Sequence, residues 1–97
     1  MNDKVLAVYG LEDNLEQLKE ECAELICACS KYIRCTGKGY KTVADINDTK
    51  QNIIEEISDV ESCIAAVKHF LNISDESIQK ITEMKDKRTI DRITGNA

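Results

Sequence analysis

The chain has 97 residues, which is the size of one domain, so residues 1–97 are expected to form a single unit. It contains no proline and only four glycines, a composition that favours helices over a turn-rich β fold. A formal net charge of −5 argues against a general nucleic-acid-binding protein, which needs a basic face. Because the sequence has neither a signal peptide nor an apolar run of about 20 residues, we expect a cytoplasmic protein that does not bind membranes.

The five cysteines do not indicate a disulfide framework or a zinc site. Their number is odd, and the expected location of the protein is intracellular. Zinc sites use paired Cys-x₂₋₄-Cys segments, and Cys27-x-Cys29 has a different spacing. We therefore expect reduced thiols, most of them packed as small apolar groups.

The first long helix is predicted over residues 11–33. A short helix over residues 5–9 is expected to precede it, with Gly10 as the break between them. Apolar residues then recur at steps of three and four along one helical face, at Leu11, Leu15, Leu18, Cys22, Leu25, Cys29 and Ile33.

The second long helix is predicted over residues 50–71, after a loop at 35–49 that contains Gly37 and Gly39. Each long helix holds about three heptads, so the two can pair along a seam. The apolar positions of the second helix are Ile53, Ile57, Val60, Ile64, Val67 and Leu71.

A shorter third helix is predicted from about residue 75 to residue 93. Ser74 is placed as its N-cap, and Asp75 and Glu76 are acids in the first turn, where the helix dipole favours them. Gly95 and Asn96 are expected to end the helix.

Two pairs of acids stand at the edge of the predicted seam. Glu21 and Glu24 lie three residues apart on the first helix, and Glu56 and Asp59 are spaced in the same way on the second. Residues at this spacing share a helix face, where like charges repel. A hard divalent cation would offset that repulsion, because Mg²⁺ prefers oxygen ligands. The alternative is that these acids belong to an ordinary solvated surface.

The third helix carries cations at helical spacing, namely Lys85, Arg88 and Arg92. The helix dipole favours cations near a C-terminus, which is a sufficient structural reason for them. The functional alternative is that Lys85 and Arg88 bind phosphate oxygens.

Together these segments resemble the MazG-like all-α nucleoside triphosphate pyrophosphohydrolases. The resemblance rests on two paired acidic motifs, Glu-Glu-x-x-Glu at residues 20–24 and Glu-Glu-x-x-Asp at 55–59. Further similarity lies in Tyr9-Gly10-Leu11, in Ser30-Lys31-Tyr32-x-Arg34, in Asn52 before the second acidic motif, and in Lys85-x-x-Arg88. The resemblance covers about residues 8 to 93, and the loop between the motifs is at or slightly beyond the long end of the usual family spacing.

The resemblance implies an all-α bundle of two long antiparallel helices and a shorter C-terminal helix, completed by assembly into a homodimer or homotetramer. It also implies hydrolysis of nucleoside triphosphates, often deoxynucleotides, to the monophosphate and pyrophosphate. The four acids Glu21, Glu24, Glu56 and Asp59 would hold Mg²⁺ or Mn²⁺ to activate a water.

Three further roles follow as hypotheses. Glu20 or Glu55 would accept the proton of the attacking water. Lys85 and Arg88 would offset charge on the pyrophosphate, and Asn52 would contribute to substrate binding. The rival hypothesis is a non-enzymatic helical module that binds a protein partner through its apolar seams.

Overall fold

The computed structural model describes residues 9–36 and 46–95, and all regular structure within these ranges is helical. Helix α1 spans Leu11–Cys35, α2 spans Ile46–Leu71 and α3 spans Asp75–Thr94. The predicted all-α class is therefore confirmed for this part of the chain. The predicted short helix over residues 5–9 falls almost entirely outside the described residues, as do positions 37–45 of the predicted loop and Asn96.

Helix α2 begins earlier than predicted and ends where predicted. Its first turn includes Thr49, whose buried hydroxyl donates to the Ile46 carbonyl at 2.8 Å. After Leu71, Asn72 takes a left-handed conformation with φ of 53°. The Ile73 amide then donates to the Lys68 carbonyl at 2.9 Å, which is the hydrogen bond of a Schellman motif and ends the helix.

Both caps predicted for α3 are confirmed. The Ser74 hydroxyl accepts a hydrogen bond from the Ser77 amide at 3.1 Å, so it satisfies one of the free donors of the first turn. Gly95 follows the helix with φ of 76°, a left-handed conformation that glycine adopts without a steric penalty. Lys68 pairs with Asp75 across the α2–α3 turn.

Helices α1 and α2 pack against each other in antiparallel orientation. The N-terminal half of α1 lies beside the C-terminal half of α2, where Asn14 and Cys63 line one cavity. The C-terminal half of α1 lies beside the start of α2, where Lys31 and Asn52 line another. Ala28 and Ala66 are the most completely buried side chains of the pair, and their small size lets the two backbones approach closely.

The predicted seam is wrong in about half of its residues, because the helices are rotated so that acids enter it. Glu21 and Glu56 occupy seam positions in rows whose other members are mostly apolar or small. In α1 the row that faces α2 is Leu11, Asn14, Leu18, Glu21, Leu25, Ala28 and Tyr32, and in α2 the buried and half-buried residues of the seam include Thr49, Asn52, Ile53, Glu56, Val60, Cys63, Ala66, Val67 and Phe70.

The apolar residues that were predicted for the seam but lie outside it form an exposed surface on one side of the pair. Each lies one residue, or about 100°, beyond a seam position, and in antiparallel helices that rotation points to the same side. We call this surface the outer apolar face. Its residues are Leu15, Cys22, Cys29 and Ile33 on α1 and Ile57, Ile64 and Leu71 on α2, all of them exposed.

Helix α3 buries none of its residues in this chain. Its isoleucines are largely exposed, and Ile93 reaches 80%. The radius of gyration is 17.6 Å, whereas a compact domain of about 100 residues has roughly 13 Å. Among the described residues, therefore, no element covers the exposed apolar surface of α1, α2 and α3. Within the described residues, no helix combines the length and apolar character needed to cross a bilayer.

Candidate metal centre

Three of the four predicted acidic ligands come together between α1 and α2. One carboxylate oxygen each from Glu21, Glu24 and Glu56 lies within 4.8 Å of the others. Glu21 and Glu56 are half-buried in the seam, and Glu24 is exposed beside it. We call these three residues the carboxylate cluster. The antiparallel pairing builds it, because residues near the middle of each helix meet.

The carboxylate cluster is only partly satisfied by hydrogen bonds. Gln17, one helical turn before Glu21, donates from Nε2 to Oε1 of Glu21 at 2.7 Å. The second oxygens, Oε2 of Glu21 and Oε2 of Glu56, are shielded from solvent and accept no hydrogen bond from any described group. An ionised carboxylate oxygen in that position is unfavourable unless a cation or proton compensates it.

The electrostatics of the cluster favour binding of positive charge. Local desolvation raises the pKa of Glu21, and the negative charges of Glu24 and Asp59 raise it further, against the lowering effect of the Gln17 hydrogen bond. Desolvation likewise raises the pKa of Glu56, with added repulsion from Glu24, Glu21 and Asp59. Each carboxyl therefore holds a proton more tightly than a free glutamate does, and a bound cation would replace that proton.

Asp59, the fourth predicted ligand, lies outside the 4.8 Å group. It is exposed on α2, one turn after Glu56. Its charge nevertheless contributes to the raised pKa of both Glu21 and Glu56, which places it in the same electrostatic environment.

The donor set fits a hard cation. Every donor is a carboxylate oxygen, and hard divalent ions such as Mg²⁺ and Mn²⁺ prefer this type of ligand. Two of the oxygens are shielded without a partner, and either a bound proton or a cation would supply the missing interaction. Glu21, Glu24 and Glu56 would hold the ion, with Asp59 adjacent.

Two cavities lie along α1, one before and one after Glu21; the second includes Glu24 and Glu56 of the cluster, and the first includes Gln17, the hydrogen-bond partner of Glu21. The larger, of about 510 Å³, lies toward the N-terminus of α1, and we call it the Tyr9 cavity. The smaller, of about 310 Å³, lies toward the C-terminus of α1, and we call it the Lys31 cavity. The Tyr9 cavity is lined by Tyr9, Asp13, Asn14, Glu16, Gln17, Glu20 and Cys63. The Lys31 cavity is lined by Ala23, Glu24, Cys27, Lys31, Asn52 and Glu56.

The other predicted site residues are distributed unevenly around the cluster. Asn52 shares the Lys31 cavity with two cluster residues, and Glu20 lines the Tyr9 cavity. Glu55 is exposed on α2. Lys85 and Arg88 lie on α3, none of whose residues is buried against α1 or α2. A single copy of the described fold therefore does not bring these two cations to the cluster.

Two contributors were not predicted as site residues. Gln17 precedes Glu21 by four positions, so helical spacing was a sufficient signal for their contact. Asn14, a polar residue in the seam row, is buried and donates from Nδ2 to the carbonyls of Tyr9 and Gly10 at 3.2 and 2.8 Å. These hydrogen bonds fix the segment that carries Tyr9 to the start of α1.

The cysteines are free thiols, and most of them are less packed than predicted. Cys22, Cys27 and Cys29 are exposed, and for Cys22 and Cys29 the reason is that the rotation of α1 removes them from the predicted seam. Cys63 is buried next to the carboxylate cluster. Desolvation and the charges of Glu21 and Asp59 raise the pKa of its thiol, which therefore stays protonated and unreactive.

Comparison of this chain with protein-family models, with curated proteins and with solved structures found no match.

Proposed function

We propose that this chain is a MazG-like nucleoside triphosphate pyrophosphohydrolase that depends on Mg²⁺ or Mn²⁺. It cleaves a nucleoside or deoxynucleoside triphosphate to the monophosphate and pyrophosphate. The observation that carries the proposal is the carboxylate cluster, in which Glu21 and Glu56 each keep one shielded oxygen without a hydrogen-bond partner. Two neighbouring acids with shielded oxygens in a mostly apolar seam are expected to reduce stability, and a functional role would account for their presence.

Each of the proposed site residues has a separate role in the reaction. When bound, the divalent cation neutralises phosphate charge and makes a bound water more acidic. Glu21, Glu24 and Glu56 hold it, with Asp59 as the fourth acid. Glu20 or Glu55 accepts the proton of the water that attacks the α-phosphorus, and the bond to the bridging αβ oxygen breaks. Asn52 binds substrate from the Lys31 cavity.

Assembly of two or more copies belongs to the proposal. The outer apolar face and the exposed isoleucines of α3 provide the surface for a homodimer or homotetramer. In such an assembly Lys85 and Arg88 of one copy reach the carboxylate cluster of another and offset charge on the pyrophosphate. The proposed location is the cytoplasm, where the nucleotide pool is available.

A panel of nucleoside and deoxynucleoside triphosphates tests the proposal. Pyrophosphate release is measured with and without Mg²⁺ for the wild type, for Glu56→Gln and for Glu61→Gln, a matched exposed acid on α2. The proposal expects metal-dependent release whose rate falls about 100-fold or more in Glu56→Gln. Losing a residue that only orients a metal ligand typically costs about 10- to 100-fold in activity, and losing the ligand itself should cost more. Glu61→Gln should match the wild type. No release from any triphosphate by folded, metal-loaded protein would contradict it.

The second candidate function is a helical protein-interaction module, which the outer apolar face favours. That surface places Leu15 and Ile33 on the same side as Ile57, Ile64 and Leu71, as in a groove that binds a partner helix. On this hypothesis Glu56→Gln leaves partner binding unchanged, and Mg²⁺ has no specific effect.

A further inference from the structure

We infer that the nucleotide lies across the carboxylate cluster in one direction, with its base in the Tyr9 cavity and its β and γ phosphates in the Lys31 cavity. This inference rests on the proposed function and assigns substrate-binding roles to Tyr9 and Lys31. It follows from the different chemistry of the two cavities.

The Tyr9 cavity suits a nucleobase. Its volume of about 510 Å³ is within the usual range of small-molecule sites. Tyr9 is 55% exposed although it lines the cavity, so its ring is open to a planar ligand. Aromatic rings bind bases by stacking and tolerate any base, because each has a π face. The buried Asn14 donates one hydrogen bond to the Tyr9 carbonyl and one to the Gly10 carbonyl, which fixes the backbone that carries the Tyr9 ring.

The same cavity disfavours phosphates. Three carboxylates line it, from Asp13, Glu16 and Glu20, and none of the described lining residues is a cation. Glu16 is paired with Lys19, whereas no described cation pairs with Asp13 or Glu20. A triphosphate placed there would meet negative charge without compensation.

The Lys31 cavity has the opposite character. Lys31 is its one cation among the described lining residues, and no ion pair with a described acid engages it. Asn52 adds amide hydrogen-bonding groups on the facing helix. Its two acids, Glu24 and Glu56, belong to the carboxylate cluster and would be neutralised by the metal. An ammonium group beyond the metal is suited to the terminal phosphates of the substrate.

The two reaction products allow each end to be tested separately. Isothermal titration calorimetry with Mg²⁺ measures binding of the four deoxynucleoside monophosphates and of inorganic pyrophosphate to the wild type and to single variants. Tyr9→Ala should weaken monophosphate binding by about 5- to 150-fold and leave pyrophosphate binding unchanged. Tyr9→Phe keeps the ring and should bind within about twofold of the wild type.

Lys31→Met should show the reverse selectivity. Pyrophosphate binding should weaken about tenfold, the cost of losing a hydrogen bond to a charged group, with monophosphate binding retained. Lys80→Met is the control, since Lys80 is an exposed lysine of α3 that lines neither cavity and pairs at 3.5 Å with Glu76, which lines neither as well. Circular dichroism of each variant checks that the helices remain formed.

The outcomes separate the orientation from the proposed function. The orientation is overturned, and the proposed function left intact, if the wild type releases pyrophosphate but the variants do not show the expected selectivity. That is the case if Tyr9→Ala weakens pyrophosphate binding and Lys31→Met weakens monophosphate binding, or if each variant affects both ligands equally. Wild-type protein that releases no pyrophosphate from any triphosphate overturns both. Turnover with the two selective losses supports the orientation.

Discussion

Replacing Glu56 with glutamine should abolish most of the stabilisation of this protein by Mg²⁺. In the wild type, Glu56 supplies one of three carboxylate oxygens within 4.8 Å of one another, so the change removes a third of the clustered ligands. A ligand at 100 times its Kd stabilises the folded state by about 2.7 kcal/mol. For a domain of this size that corresponds to a rise in Tm of roughly 10–20 °C.

The variant should respond far less to the same concentration of Mg²⁺. If its affinity is about 100-fold lower, the ion is present at only about its Kd, and the rise in Tm falls to roughly 2–3 °C. Without metal, the variant should melt at a higher temperature than the wild type, because a neutral amide removes the repulsion from Glu21 and Glu24. Thermal melts followed by circular dichroism measure both effects at fixed protein concentration, with NaCl at matched ionic strength as the control.

Two results would refute this reasoning. One is an equal Mg²⁺-induced rise in Tm for the wild type and the variant, which would show that the ion acts elsewhere or only by screening. The other is a metal-free variant that melts well below the wild type, which would show that Glu56 is a stabilising residue of the seam.

Three further predictions follow. The pKa values of Glu21 and Glu56 are raised, so their contribution to stability is present below the usual glutamate pKa of 4.5 and is lost as pH rises through the raised values. The Tm of the metal-free wild type should therefore fall relative to that of Glu56→Gln as pH increases. A difference in Tm between the two proteins that does not change with pH would contradict this. Asn14→Ala removes two hydrogen bonds and should lower the free energy of unfolding by about 1–3 kcal/mol in urea titrations, whereas no loss would show that the Tyr9 segment does not depend on them. Ile64→Glu places a charge on the outer apolar face and should shift the proposed homo-oligomer toward monomer in light scattering; an oligomeric mass that the substitution leaves unchanged would exclude this surface from the interface.

The sequence was sufficient to predict the helices and their caps. Apolar spacing predicted α1 and α2, and the roles of Ser74 and Gly95 followed from local backbone chemistry that needs no tertiary contact. The start of α2 was placed four residues late, because Thr49 was taken as loop when its hydroxyl instead bonds within the first turn.

Rotation of the paired helices could not be predicted in the same way. Leu11, Leu18 and Leu25 belong to two neighbouring stripes, one completed by Leu15 and Cys22 and the other by Asn14 and Glu21. Hydrophobicity favoured the first stripe, whereas the described fold puts the second in the seam. That choice depends on close contact between the two helices at small residues such as Ala28 and Ala66, which the spacing along one helix does not encode.

The candidate site was predictable where it depended on spacing within a helix and unpredictable where it depended on the register between helices. The i, i+3 spacing placed Glu21 with Glu24, and pairing of the two acidic motifs anticipated their meeting with Glu56. The two cavities and the separation of α3 from the cluster arise from packing between segments distant in the chain, whereas the contact of Gln17 with Glu21 follows from i, i+4 spacing within α1.

The most direct test of the central claim is the identity of the products, measured by ³¹P nuclear magnetic resonance after incubation of a triphosphate with the protein and Mg²⁺. The proposed reaction predicts a nucleoside monophosphate and pyrophosphate in equal amounts, formed by the wild type and lost in Glu56→Gln. Formation of a diphosphate and inorganic phosphate, or an unchanged triphosphate, would contradict it.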